Sequence, residues 1–339
     1  MEMDCCKTEW SDSVLQLLLL NIGREVFYVG KADRRKSEKK KRSTGKNAVL
    51  GNTKMAYIYI LPVFIFLGVF TYYAMAFNIG ISFDSWNGVS PEKIFVGLDN
   101  YMKLMKDPYF HLALKNTTVY FLITIPVQAV LGFLLANCFV NTKVRAKGLI
   151  RSIIFFPNVV ALVVIGTAFN QMYNFQQGFL NETLRAIGLG KLALDWTGNP
   201  KIALYSIIIA NIYTYVGFSM TLYITGLLSV PKDVMEAAKI DGASGVQSTR
   251  YIALPLLKST HTTVIILGIV GTLKTFDIVW LITQGGPARK TEMLTTMLYR
   301  SYILEYKAGY AAAIAVVILI IALVLSCINL YFQRKDTDY

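Results

Sequence analysis

The chain has 339 residues, 54% of them hydrophobic and only 16% charged, well below the charge of about 25% that soluble domains carry, so a soluble globule is a poor reading. The net charge of +13 does not point to nucleic acid, because +5 of it sits in the first 54 residues and much of the rest in short loops. Basic loops of that kind orient a membrane protein rather than grip phosphates.

Residues 1 to 54 form a leader. Val14, Leu15, Leu18, Leu19, Ile22 and Val26 fall at helical spacing, but the run is too short to cross a bilayer and starts with Glu2, Asp4 and Glu9, unlike a secretory signal peptide. Lys31 to Lys46 reads KADRRKSEKKKRSTGK, a solvated and partly disordered cytoplasmic segment suited to resting on anionic membrane lipid. The expectation is a dispensable leader, or upstream translation ahead of Met55, with residues 55 to 339 as the membrane body.

Six apolar runs follow, at 56–80, 117–140, 149–172, 202–228, 261–283 and 309–332. Each has the roughly 20 residues that a helix needs to cross the hydrocarbon core. Lipid forces backbone polar groups to pair internally, and these runs lack the short alternating segments of a barrel. The predicted fold class is all-α, a polytopic membrane protein with six transmembrane helices. No symmetric pair of Gly/Pro-interrupted spans is visible, which disfavours a broken-helix secondary carrier.

Lys143, Arg145, Lys147 and Arg151 crowd the stretch 141–151 without an acid, and residues 31–54 carry ten basic residues. Both segments are therefore expected in the cytoplasm. The mixed-charge loops 81–116 and 173–201, with Trp86, Tyr101, Tyr109 and Trp196, fall outside, and both termini inside. Alternation then places 229–260 in the cytoplasm. Pro231 opens a short helix there, Asp241-Gly242 breaks it, and a second short helix ends near Pro255.

The chain shows no P-loop, no G-x-S-x-G, no H-E-x-x-H and no dinucleotide fingerprint. No catalytic residue and no metal ligand is assigned. Cys5 and Cys6 are adjacent, Cys138 and Cys327 lie in separate runs, and His111 and His261 are isolated at run ends. Any ATP that drives the protein is hydrolysed by another chain.

From Gly226 to Leu257 the residues read GLLSVPKDVMEAAKIDGASGVQSTRYIALPLL. Glu236-Ala237-Ala238, then Asp241-Gly242-Ala243, then Ile252-x-Leu254-Pro255, resemble the EAA loop of binding-protein-dependent ABC importer permeases. Phe95 to Tyr101, Asp107 to Phe110, Asn116-Thr117, and Phe276-Asp277 through Gln284-Gly-Gly-Pro287 resemble the carbohydrate branch, the maltose and glycerol-phosphate type. The resemblance covers nearly everything after Met55. Thr249 stands where the family usually has an aromatic, and Val246 where it often has Trp.

The resemblance implies a bacterial or archaeal inner or plasma membrane permease for a carbohydrate. It also implies a second, homologous permease, two ATPase subunits holding ATP and Mg, and an extracytoplasmic solute-binding protein docked on loops 81–116, 173–201 and 284–308. No cofactor is expected on this chain. The cytoplasmic coupling-helix loop would contact the ATPase through Glu236, Ala237, Ala238, Asp241, Gly242 and Ala243. Small residues let that helix enter a groove, Glu236 offers a charge, and Gly242 permits the turn.

For the solute path, lipid penalises polar side chains, so their faces mark a cavity. Asn211, Tyr215 and Phe218 share one face of the fourth run at i, i+4 and i+7. Amide, hydroxyl and ring suit a sugar. Gly268, Gly271, Thr272 and Thr275 give the fifth run a small-residue face, for solute or for packing against the second permease. Lys274 and Asp277, at i and i+3, read as a structural ion pair before they read as a relay. Two alternatives stay open at this point, an ion-coupled secondary transporter and an ABC permease for a non-sugar solute.

Overall fold

The computed structural model describes residues 53–141 and 146–335. The chain divides into residues 1–73 and 74–339, and each unit is described by itself. The expected leader lies outside the described residues except for Thr53 and Lys54, which already belong to a helix.

In chain order, α1 (Thr53–Leu67) continues through a π-helical turn, Gly68–Tyr73, which ends the first unit. The second unit opens with α2 (Ala74–Ile81), followed by a minimal antiparallel pair, β1 (Asp84–Ser85) and β2 (Ile94–Phe95), with Asp84 opposite Phe95. Next come α3 (Asp99–Lys106), α4 (Pro108–Asn141), α5 (Lys147–Val159), α6 (Leu162–Met172), α7 (Phe179–Ala186) and α8 (Ala203–Ser229). The loop helices are α9 (Lys232–Ile240), α10 (Gly245–Ser248) and α11 (Leu254–Leu256). After them come α12 (Lys258–Lys274), α13 (Asp277–Thr283), α14 (Leu294–Tyr299) and α15 (Ala308–Lys335).

Among the described residues, four helical stretches are long and apolar enough to cross a membrane singly: Tyr59–Ile81, Pro108–Val140, Ala203–Ser229 and Ala308–Asn329. Counting each of two bent helix pairs as one span brings the candidates to six. The run expected as one third span is α5 and α6, bent by 95°. Val160 and Ala161 are extended there, with ψ of 139° and 133°, and Pro157 has already removed a hydrogen-bond donor from the last turn of α5. The expected fifth span, 261–283, is also divided. Thr275 turns extended at ψ 111° and Phe276 sits at φ −125°, which separates α12 from α13. Leading into it, the segment Gly245–Leu256 meets α12 at 66°.

The core forms where α4 and α8 pack along their length. Ala136, Met220, Tyr223, Leu257 and Val264 fill one end of it, and Tyr120, Ile207, Ile278, Val279 and Met293 the other. Apolar residues pointing away, such as Leu122, Val130 and Leu134 on α4 and Ile320 and Leu323 on α15, remain exposed. In a bilayer those side chains meet hydrocarbon, so their exposure costs nothing.

Glycines set the closest helix approaches. A Cβ on Gly132 of α4 would lie 2.8 Å from Ser219 Cβ, and one on Gly217 of α8 would lie 2.3 Å from the Ile154 carbonyl oxygen on α5. Small residues at such crossings let backbones meet where no hydrophobic force drives helices together. Gly217→Val should therefore push α5 off α8 and cost about 1–3 kcal/mol as overpacking. Thermal aggregation of the detergent-solubilised protein checks this, and an unchanged midpoint would mean that the helices do not approach so closely.

Candidate functional site

The fourth and fifth runs face each other across a cavity of about 310 Å3. From α8 come Asn211, Tyr215, Phe218, Ser219 and Leu222, and from α12 and its end Val264, Leu267, Gly268, Gly271, Thr272 and Thr275. All six residues expected on the solute path, Asn211, Tyr215, Phe218, Gly268, Thr272 and Thr275, are brought together on its wall. The other polar groups of α8 point elsewhere. Tyr213 is exposed on another side, Thr214 Oγ1 donates back to the Ala210 carbonyl, and the Tyr223 hydroxyl lies 2.8 Å from His261 Nδ1.

Besides Ser219, Leu222, Val264 and Leu267, the wall holds two amides that the sequence does not announce, Gln128 on α4 and Asn158 on α5. Gln128 Nε2 donates to Asn211 Oδ1 at 3.0 Å, which fixes the orientation of both amides. Their signal was a lone amide inside an apolar run, which lipid would penalise. No residue on this wall is charged. Thr272 Oγ1 donates to the Gly268 carbonyl and Thr275 Oγ1 to that of Gly271, both at 2.9 Å. Their hydroxyl protons are committed to the helix, so they offer acceptor lone pairs to the cavity.

Lys274 and Asp277 do not form the expected ion pair: among the described residues none joins them. The break explains it, since i,i+3 spacing brings side chains together only on a continuous helix. Lys274 is the last residue of α12 and Asp277 the first of α13, so each complements the end of its own helix dipole. Beyond the break, the rings of Phe276, Trp280 and Tyr299 cluster with centroids 4.7–5.7 Å apart.

A strap from Gln284 to Thr296 packs against α4 and the end of α12. Asn116 Nδ2 of α4 donates to the carbonyls of Lys290 and Glu292, at 2.9 and 2.8 Å, and Leu294 N donates to Thr117 Oγ1 at 3.2 Å. Thr295 Oγ1 donates to the Thr275 carbonyl, which the break had freed. Glu292, with no exposed surface, pairs with Arg289 and with Arg300, whose Nε lies 2.9 Å from Oε1. Arg300 also donates to the Gln284 carbonyl. Burial lowers the Arg289 guanidinium pKa, but hydrogen bonding and charge from Glu292 outweigh it, and the net shift is upward. Arg289 therefore stays cationic.

The strap also borders a wider recess of about 1040 Å3, which loops 81–116 and 284–308 form together through Trp86, Lys103, Lys106, Tyr109, Arg289 and Tyr306, among others. The loop 173–201 takes no part in it.

At the other end of the bundle lies the EAA-like loop. Helix α9 starts after Pro231, with Asp233 in its first turn and Lys239 in its last, both favourable to the dipole. It stops at Gly242, φ +82°. Gly242 N donates to the Lys239 carbonyl and Ala243 N to that of Ala238, the pair of bonds that closes a helix through a left-handed residue. Ser244 then caps α10 in a reciprocal box with Gln247.

Glu236, Ala237, Asp241 and Gly242 are exposed and Ala243 is half-buried, whereas Ala238 is buried within the chain. Only Ala237 of the alanine pair lies on the free face, near in sequence to the exposed apolar Val234 and Ile240. Thr249, the departure from the family pattern, places its hydroxyl 3.3 Å from Asn137 Oδ1 of α4 and so ties the loop to the bundle. His261 Nε2 lies 3.2 Å from the Leu254 carbonyl. With Nδ1 2.8 Å from the Tyr223 hydroxyl, the ring acts as a bridge between α11, α12 and α8.

Comparison with known proteins gives these features a lineage. Residues 128–336 match the family described as "Binding-protein-dependent transport system inner membrane component". The probable ABC transporter permease protein YurN of Bacillus subtilis is 36% identical over 282 residues, 83% of this chain and 96% of that protein. The trehalose/maltose transport system permease protein MalF of Thermococcus litoralis is 30% identical over 251 residues, 74% of this chain and 84% of its own length. In fold, the chain is similar to a chain of a bacterial ABC transporter involved in the import of the acidic polysaccharide alginate. The TM-score is 0.73 at 22% identity, covering 83% of this chain and 96% of the other. With a family match over more than half of its residues, the chain belongs to the binding-protein-dependent transport system inner membrane components.

Proposed function

We propose that the chain is a permease subunit of an ABC importer and forms, with a second permease, the path for ATP-driven uptake of a sugar. The observation that carries this reading is the uncharged cavity between α8 and α12, whose amides, hydroxyls and rings fit a neutral, hydroxyl-rich solute. A sugar presents donors and acceptors to Asn211, Gln128 and Thr272, and its C–H face to Tyr215 and Phe218. Relatives named for trehalose/maltose and lactose transport support the solute class.

In this reading both termini and the loop 229–260 lie in the cytoplasm, where Glu236, Ala237, Asp241 and Gly242 meet an ATPase subunit that holds ATP and Mg. The recess beside the strap faces the extracytoplasmic binding protein. The chain performs no chemistry on the solute. Its task is to switch the cavity between the two sides as the ATPases close and reopen.

The test is uptake of a panel of labelled sugars (trehalose, maltose, lactose, xylose, arabinose) in a strain lacking this chain and complemented by it. Tyr215→Ala and Thr272→Val should each reduce uptake efficiency of the sugar carried by about five- to tenfold, the effect of one lost solute contact. Unchanged kinetics in both variants would remove these faces from the path, and uptake of none of the panel would overturn the solute class.

A further inference from the structure

A polar ladder runs along α4. Asn116, Tyr120, Thr124 and Gln128 recur every four residues, which places them on one face of the helix, and all four are buried. Both ends of the ladder are satisfied, Asn116 by the strap and Gln128 by Asn211 on the cavity wall. The middle is not. Tyr120 Oη and Thr124 Oγ1 are enclosed and neither makes a well-formed hydrogen bond. Tyr120 Oη lies beside Tyr215 and close enough to Thr275 on the cavity wall for a weak hydrogen-bonding interaction, though not in good geometry, so Thr124 is the hydroxyl left wholly without a partner.

An enclosed hydroxyl without a partner is costly, and native structures hold few of them. Helix threonines commonly return their proton to the carbonyl four residues back, as Thr214, Thr221 and Thr272 do here; Thr124 does not. Phenylalanine and valine would fill the same two spaces without the penalty. The two hydroxyls are thus poorly partnered in the conformation seen, and a transporter must adopt at least one other.

Resting on the reading of the α8–α12 cavity as the solute path, we propose that the α4 wall begun by Gln128 continues through Thr124 and Tyr120 as a further stretch of that path. This stretch is closed here and opens in the opposite access state, where its two hydroxyls bind those of a saccharide. A single ordered water between them is the structural rival.

Cysteine accessibility in the assembled importer separates the two. With Cys5, Cys6, Cys138 and Cys327 replaced by serine, Thr124→Cys and Tyr120→Cys are exposed to a charged methanethiosulfonate reagent, first without nucleotide and then with ATP and vanadate. At least one of them should react ten or more times faster in one state than in the other. No reaction in either state, while a Tyr215→Cys control reacts, overturns this inference alone; an unreactive control overturns the path as well. Thr124→Val, assayed with the panel sugar that the wild type carries, should lose about five- to tenfold in uptake efficiency. Unchanged uptake also overturns the proposal, because a residue that merely held a water would tolerate the isosteric change.

Discussion

Glu292→Ala should be among the most damaging single substitutions in the strap. The side chain is wholly buried and is the shared counter-charge of Arg289 and Arg300. Removing it leaves two guanidiniums facing each other, each with only about a quarter of its side chain in contact with solvent. Breaking a fully buried pair costs about 3–5 kcal/mol, and the partial solvation of both arginines brings the expected loss toward about 2–4 kcal/mol. The same change loosens the backbone that accepts from Asn116. Uptake should fall with it, because Thr295 no longer holds the Thr275 carbonyl at the break in the fifth span. Thermal unfolding in detergent and the amount of protein surviving in membranes measure the effect. Arg289→Met combined with Glu292→Leu and Arg300→Met should recover much of the stability without the charges. A Glu292→Ala protein as stable as wild type would show that the cluster is ornamental.

The second large effect is expected at the EAA-like loop, and there it should appear in coupling rather than in folding. Gly242 holds φ +82°, a region that costs other L-residues about 1–2 kcal/mol. Proline is worse, since it fixes φ near −65° and removes the N–H that donates to Lys239. Gly242→Pro therefore redirects the chain between α9 and α10 while the spans stay intact. Glu236→Arg changes nothing inside the chain, because Glu236 is exposed, but it reverses the charge offered to an ATPase. Both variants should insert normally and lose at least tenfold in ATP-driven uptake. Membrane insertion, ATPase co-purification and uptake, measured together, decide the matter. If both variants couple as well as wild type, the loop is not the contact.

Much of this was legible in the residues. The apolar runs announce an all-α membrane chain with four to six candidate spans, and the loop's grammar is local. Pro231, Asp241-Gly242 and Ser244 to Gln247 each dictate their own turn or cap through side-chain and backbone chemistry. The breaks were only partly legible. Val160-Ala161 and Thr275-Phe276 themselves contain neither glycine nor proline; Pro157 signals a weakened turn near the first and Lys274 and Asp277 flank the second, but packing against α8 and the strap decides where the chain bends. The misreading of Lys274 and Asp277 followed from that, since their spacing was interpreted on a helix that ends between them. Gln128 and Asn158 were missed for a different reason. A single amide carries no periodicity, and only the fold shows that it meets Asn211 or a cavity.

The bend between α5 and α6 has a consequence for how the protein can exist at all. Neither half is long enough to cross alone, and the extended residues at Val160 and Ala161 interrupt the internal pairing that makes a helix soluble in hydrocarbon. Lipid is thus a poor solvent for this stretch, and only protein or trapped water is a good one. Val160 packs against the chain's own core there, so what keeps the bend out of lipid is the fold that surrounds it rather than the helix that carries it.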